Sequence, residues 1–141
     1  MERNLIHDPL FLAMKSTPAT LEHIDVATDL LDTLKAHRES CVGMAANMIG
    51  QRVCIIAFLD ESGKTPTYTV MCNPHIVAKD GAYDTQEGCV SLLGGPRPCK
   101  RYRRIKVQYQ TLDFKLRTKT YEGWTAQIIQ HEIDHCHGIL I

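Results

Sequence analysis

The apolar positions of the chain follow two periods. Leu21, Ile24, Ala27, Leu31 and Leu34 recur every three or four residues, which predicts an amphipathic helix over 21–35. Lys35, His37 and Arg38 stand near its end, where cations suit the helix dipole. RVCIIAFLD, residues 52–60, is a short β-branched run closed by the turn-forming ESGKTP, the pattern of a buried strand. TYTVMCNPHIVAKDG, 67–81, predicts one or two further strands interrupted near Asn73-Pro74. Past the glycine- and proline-rich SLLGGPRP, Ile105, Val107 and Tyr109 alternate with Lys106, Gln108 and Gln110, as in a half-buried strand. FKLRTKTYEG prolongs the alternation and reads as its hairpin partner. The last segment, 124–136, returns to helical spacing at Trp124, Ile128, Ile129 and Ile133, with Gly138 as its stop. The elements predict an α+β fold: a long N-terminal helix, mostly antiparallel strands and a closing helix.

With 141 residues and no repeat or linker-like tract, the chain is expected to form a single domain over 1–141. Its 16 basic residues balance 16 acidic ones, so it lacks the one-sign field of a general nucleic-acid or membrane-surface binder. The one basic run, Lys100 to Arg104, reads as a solvated strand entrance in preference to contact with an anionic partner. The start MERNLIHDPL is charged, and no apolar run approaches the ~20 residues of a membrane span. A soluble, cytoplasmic protein with no membrane contact is therefore expected. In that setting the six cysteines are expected as reduced thiols or metal ligands, not as a disulfide framework.

The closing helix carries IIQHEIDHCHG, Ile128 to Gly138, in which His131, Glu132 and His135 form H-E-x-x-H. Residues four apart share a helix face, so both histidines can reach one ion. Glu132, about 100° round the helix, can approach a water beside that ion without being a ligand, the position of a general base. A metal that does chemistry usually takes a third protein ligand. Only six residues follow His135, and His137 lies on another face. The third donor is thus expected upstream, from His7, His23, His37, His75 or a cysteine. Cys89 has the best context, in QEGCVS, between Gly88 and a loop of glycines and prolines that can aim a thiolate and the following N–H groups at one site. Cys54 and Cys72 lie in apolar strands, where an inert thiol is ordinary, and Cys136 points off the metal face.

Three stretches, VGMAAN (Val42 to Asn47), EGCVS (Glu87 to Ser91) and HEIDH (His131 to His135), agree in order and separation with a known set. They resemble the G-x-G-L-A-A-x-Q, E-G-C-L-S and H-E-x-D-H motifs of peptide deformylases, and the resemblance covers most of the chain. It implies antiparallel β-sheets around a C-terminal helix bearing both histidines. It also implies a hydrolase of N-terminal methionine processing in protein biosynthesis, which removes the formyl group from the formylmethionine of new peptides. Cys89, His131 and His135 would hold one divalent metal ion, ferrous iron first, with zinc, nickel or cobalt as replacements. Glu132 would be general base and proton shuttle, and the Val90 backbone N–H a donor to the oxyanion. Glu87 would be an outer carboxylate paired with Arg101, and Asp134 the anchor of the histidine helix. Val42, Gly43, Trp124 and Ile128 would receive the methionine side chain. The implied partners are an N-formylmethionyl peptide and, transiently, the ribosome.

The first motif departs from that pattern. Met48 stands where the family has a glutamine that donates a side-chain N–H to the oxyanion, and a thioether donates nothing. Losing one such donor costs on the order of 10²–10³ in rate, about 3–4 kcal/mol, so slowed turnover is expected. Asn47 would face the opposite side of an extended segment, and Gln51, past Gly50, would need a rearranged loop. Cys41 replaces the motif's first glycine, and the chain stops soon after Gly138 without the C-terminal helix or tail of many family members. The alternative reading is a deformylase-like metal-binding protein with another small-amide substrate or no catalysis. An unrelated zinc endopeptidase lacks its downstream ligand here, and a structural zinc module has no use for Glu132.

Overall fold

The computed structural model describes the backbone of all 141 residues and every side chain except that of Leu93. Five strands form one antiparallel sheet in chain order: β1 (Gly43–Ala45), β2 (Ile55–Asp60), β3 (Thr67–Cys89), β4 (Leu92–Gln110) and β5 (Leu116–Glu122). The described helices are α1 (Pro9–Leu12), α2 (Ile24–Ala36) and α3 (Gly123–Cys136), with 3₁₀ turns at Leu21–His23 and Ala46–Ile49.

The long β3–β4 hairpin is the frame. Its pairing runs from Cys72 opposite Gln110 to Cys89 opposite Leu92, so Val90 and Ser91 alone turn the chain. The composition of SLLGGPRP predicts a loop; its two ends join the ladder, Leu92 opposite Cys89 and Arg97 and Pro98 opposite Glu87 and Gln86, across an irregularity that holds Gly94 and Gly95 at positive φ. β5 joins β4 only from Arg104 onward. The proline-bearing part of β4 therefore has a strand on one side only among the described residues, where a missing N–H is tolerated. The interruption expected at Asn73-Pro74 is a bulge inside one continuous strand. Asn73 takes φ +50° there, accepts from the Ala19 N–H at 2.7 Å and donates to Gln110 Oε1 at 2.7 Å.

α2 begins at Ile24; Leu21, which the periodicity includes, is 64% exposed in the 3₁₀ turn before it, which Thr20 and His23 cap. At 13 residues it is a helix of ordinary length, not a long one. α3 lies against β4, β1, β2 and β5. Its Ile128, Ile129 and Ile133 are buried, and so are its polar Gln130, His131, Glu132 and His135. Gln130 locks the helix to the sheet: its amide accepts from the Tyr102 N–H and donates to the Tyr102 carbonyl, both at 2.9 Å. Those are the backbone groups of β4 just past the end of β5. The Phe58 and Tyr121 rings meet edge-on at 6.1 Å in the core beneath. No helix among the described residues is long and apolar enough to cross a membrane.

The chain leaves α3 through Gly138, which has φ +75°, and a Cβ there would sit 2.4 Å from the Ala13 carbonyl oxygen. Left-handed strain and this clash add. Gly138→Ala is predicted to lower stability by about 2–4 kcal/mol, read by urea unfolding of the metal-free protein. A loss under about 0.5 kcal/mol would contradict the packing of α1 on the end of α3.

Candidate metal centre and active site

α3 presents His131 and His135 one turn apart, both buried, with their Nε2 atoms 3.1 Å from each other. Cys89, the last residue of β3, brings its thiol to the same point, so that the three donor atoms lie within 4.8 Å of one another. The other upstream candidates are engaged elsewhere. His7 Nδ1 is 3.0 Å from the Ser91 carbonyl, and His23 accepts from the Thr20 N–H at 2.9 Å. His37 sits on the Thr33 carbonyl, and His75 on Gln108. All six cysteines are free thiols.

Glu87, two residues before Cys89, organises the histidine. The His131 Nδ1 lies 2.8 Å from Glu87 Oε1. Arg101 reaches the same carboxylate with Nη2 at 2.7 Å and Nε at 3.0 Å, and turns Nη1 onto Asp134 Oδ2 at 2.6 Å. Gln127 adds a bond to Glu87 Oε2 at 2.8 Å. Burial works to raise the Glu87 carboxyl, but the hydrogen bonds from His131, Arg101 and Gln127 together outweigh it and hold it at about 2. An ionised carboxylate only accepts, so His131 Nδ1 carries a proton toward Glu87, and its Nε2 faces Cys89 and His135.

These residues fit a metal ion. His135 Nδ1 and Glu132 Oε1 are buried with no hydrogen-bond partner among the described residues. Two Nε2 atoms face each other, and a thiol completes a sulfur and nitrogen donor set of the kind iron, zinc, nickel or cobalt accepts. Three protein donors leave a position open for water. Glu132 lies beside that point, and its burial pushes the carboxyl up to about 7. Gly43 makes room for it: a Cβ there would stand 2.7 Å from Ile128 Cγ2 and 2.8 Å from Glu132 Oε2.

Cys89 and His131 open into a cavity of about 450 Å³, with His135 buried behind them. Val42, Gly43, Val90, Trp124 and Ile128 line it, together with Glu87, Cys89, His131 and Glu132. Cys41 lines it too; its thiol donates to the Gly43 carbonyl at 2.9 Å, and burial, followed by the charge of Glu132, pushes it up to about 12. Met48 is not among the lining residues. It is fully buried, and its sulfur accepts from the Ala45 N–H at 3.4 Å. The segment is not extended at this point: Ala46–Ile49 is a 3₁₀ turn, which sends Asn47 inward to donate to the His135 carbonyl at 3.0 Å. Gln51 is exposed. Sequence reasoning passed over Gln127, although its place four residues before His131 puts it on the ligand face.

Residues 6–141 match the family model described as polypeptide deformylase. The chain is 45% identical over 141 residues to a peptide deformylase of Clostridium beijerinckii, covering 100% of both. Its structure is similar to a peptide deformylase from Legionella pneumophila, with a TM-score of 0.87 at 30% identity, over 99% of this chain and 83% of that one. It is also similar to the peptide deformylase from Thermus thermophilus, with a TM-score of 0.85 at 31% identity and coverage of 99% and 83%.

Arg101 is 4% exposed and neutralises two carboxylates on different elements. Arg101→Met is predicted to destabilise the metal-free protein by about 3–5 kcal/mol, because it strands a buried charge. Arg101→Lys should recover less than half of that, since an ammonium cannot span both partners as a fork. Denaturant midpoints read both, and a fully stable Arg101→Lys would contradict the bridging geometry.

Proposed function

Because this chain belongs to the peptide deformylase family, which removes the formyl group from N-terminal formylmethionine, we propose that Cys89, His131 and His135 hold the divalent metal of the family, with ferrous iron as the native ion. The observation that supports this most is the meeting of three donor atoms within 4.8 Å, beside a buried carboxylate whose Oε1 has no partner among the described residues, at the wall of one cavity.

The bound ion supplies a nucleophilic water at neutral pH and polarises the formyl oxygen. Glu132 Oε1, with no protein partner to compete, accepts the proton released as oxygen adds to the formyl carbon. When the C–N bond breaks, Glu132 returns that proton to the amine, leaving formate and a free N-terminus. Burial that raises Glu132 to about 7 suits a group that must first accept and then donate. The Val90 N–H, in the tight turn after Cys89, meets the negative charge growing on the formyl oxygen. Val42, Gly43, Trp124 and Ile128 receive the methionine side chain. A formyl hydrogen needs little room beside Gly43, so an ordinary acyl group is excluded by size. Glu87 fixes His131, and Arg101 with Asp134 fixes Glu87 and the helix. The whole chain works as one domain in the cytoplasm, on peptides leaving the ribosome.

Met48 makes this a slow member. Asn47 is spent on the His135 carbonyl and Gln51 is exposed, so neither replaces the missing donor. The same substitution supports a second reading, a metal-binding relative that turns over little or no formylmethionyl peptide.

Formate release from a short formylmethionyl peptide, with anaerobically prepared protein loaded with iron or nickel, separates the two. Turnover is expected from the wild type, with loss of at least about 10²-fold in Glu132→Ala and metal still bound. Met48→Gln is expected to gain up to about 10²–10³-fold in kcat. Metal-loaded protein that releases no formate, either as wild type or as Met48→Gln, would refute the deformylase assignment in favour of the second reading.

A further inference from the structure

Glu87 Oε1 has His131 on one side and Arg101 on the other, but its Oε2 is held by Arg101 Nε at 3.0 Å and by Gln127 Nε2 at 2.8 Å. Gln127 is itself held from beyond. The Tyr83 hydroxyl lies 3.3 Å from Gln127 Oε1, and Tyr83 stands opposite Arg101 in the β3–β4 ladder with the Arg103 guanidinium 5.1 Å over its ring. The direction of this chain is fixed by chemistry. The Glu87 carboxylate only accepts, so the amide nitrogen must face it; that leaves the amide oxygen for Tyr83, whose hydroxyl must donate. Hydrogen bonds thus run one way, from Tyr83 to Gln127 to Glu87, and meet the bond from His131 at the same carboxylate. Gln127 also lines the catalytic cavity.

We propose that Gln127, oriented by Tyr83, is a positioning residue that braces Glu87 Oε2 against the Arg101 fork and so aims the His131 Nε2 at the metal. The proposal rests on the ligand assignment above. Without the amide, the carboxylate keeps the Arg101 fork on Oε1 and Oε2, with Cys99 bonded to it as well, but loses the bond that opposes the pull of Arg101 on Oε2. The carboxylate can then tilt toward Arg101, and the acceptor that fixes the His131 ring tilts with it. Partners bonded directly to a ligand, as Glu87 is to His131, typically contribute 10–100-fold to metal affinity, and Gln127 acts one bond further out. Tyr83 acts only through Gln127, so the two effects should not add.

The test is zinc affinity, measured by competition with a chromophoric chelator, for wild type, Gln127→Leu, Gln127→Met, Tyr83→Phe and the double variant Tyr83→Phe/Gln127→Leu. Both Gln127 variants are expected to bind zinc about three- to tenfold more weakly, and Tyr83→Phe to lose less. The double variant should match Gln127→Leu. A residue that merely supported the fold would lower the unfolding temperature of the metal-free protein without this pattern. In the zinc-loaded protein the His131 Nδ1 proton resonance, carried downfield by its carboxylate bond, should move upfield in Gln127→Leu. Zinc affinities within twofold of wild type, while a Glu87→Gln control falls tenfold, would overturn the role of Gln127 and leave the ligand assignment standing. Additive losses in the double variant would overturn the relay from Tyr83. A wild-type protein that binds no zinc would sink the ligand assignment and this inference with it.

Discussion

One buried guanidinium holds the site together. Arg101, on β4, is bonded on one side to Glu87 of β3 and on the other to Asp134 of α3. The three elements that supply or support the donors are thereby fixed to one atom group. A buried ion network of this sort is not a net source of stability, since desolvating the charges offsets much of their attraction. What it fixes is position. An apolar contact of equal area would let α3 slide or rotate, whereas forked hydrogen bonds to two carboxylates allow one placement. Gln130, bonded to the Tyr102 backbone at 2.9 Å, secures the same helix by a neutral version of the same device.

From that placement the rest follows in sequence. With α3 fixed, its two histidines stand over the β3 end of the hairpin, where the two-residue turn leaves Cys89 directly beside them. Glu87 lies two residues earlier on the same strand, so alternation puts both side chains on one face. Glu132 is then buried beside the donors with Gly43 as its neighbour, and there is no room for a Cβ between them. The first motif divides its duties. Its structural part is intact: Gly43 clears space for Glu132, and Asn47 holds the end of the histidine helix. Its polar contribution at Met48 is absent, and the methionine has joined the core.

Much of this could be read before folding. The apolar period of α3, the alternation from Ile105 to Tyr109 and the four-residue spacing of His131 and His135 are local signals, and local signals survive in a bare sequence. The long-range ones do not. Prolines and glycines made 91–98 look like a loop; its ends pair with β3 at Leu92 and from Arg97, while Gly94 and Gly95 keep their turn-like positive φ in the irregularity between. Asn73-Pro74 looked like a strand end and is a bulge, because the Asn73 amide finds partners in Ala19 and Gln110. Asn47 could not be placed without knowing that its backbone turns as a 3₁₀ segment. Gln127 was on the ligand face by spacing alone, yet its meaning depends on Tyr83, 44 residues away.

The central claim is that one ion is held by one sulfur from the β3 terminus and two nitrogens from α3. X-ray absorption on the zinc-loaded protein tests this without reference to turnover. The predicted spectrum has a single sulfur neighbour at about 2.3 Å and two imidazole nitrogens at about 2.0–2.1 Å, with one further light atom. Cys89→Ser should remove the sulfur and nothing else. A zinc spectrum with no sulfur, or with two, would contradict the account at its foundation.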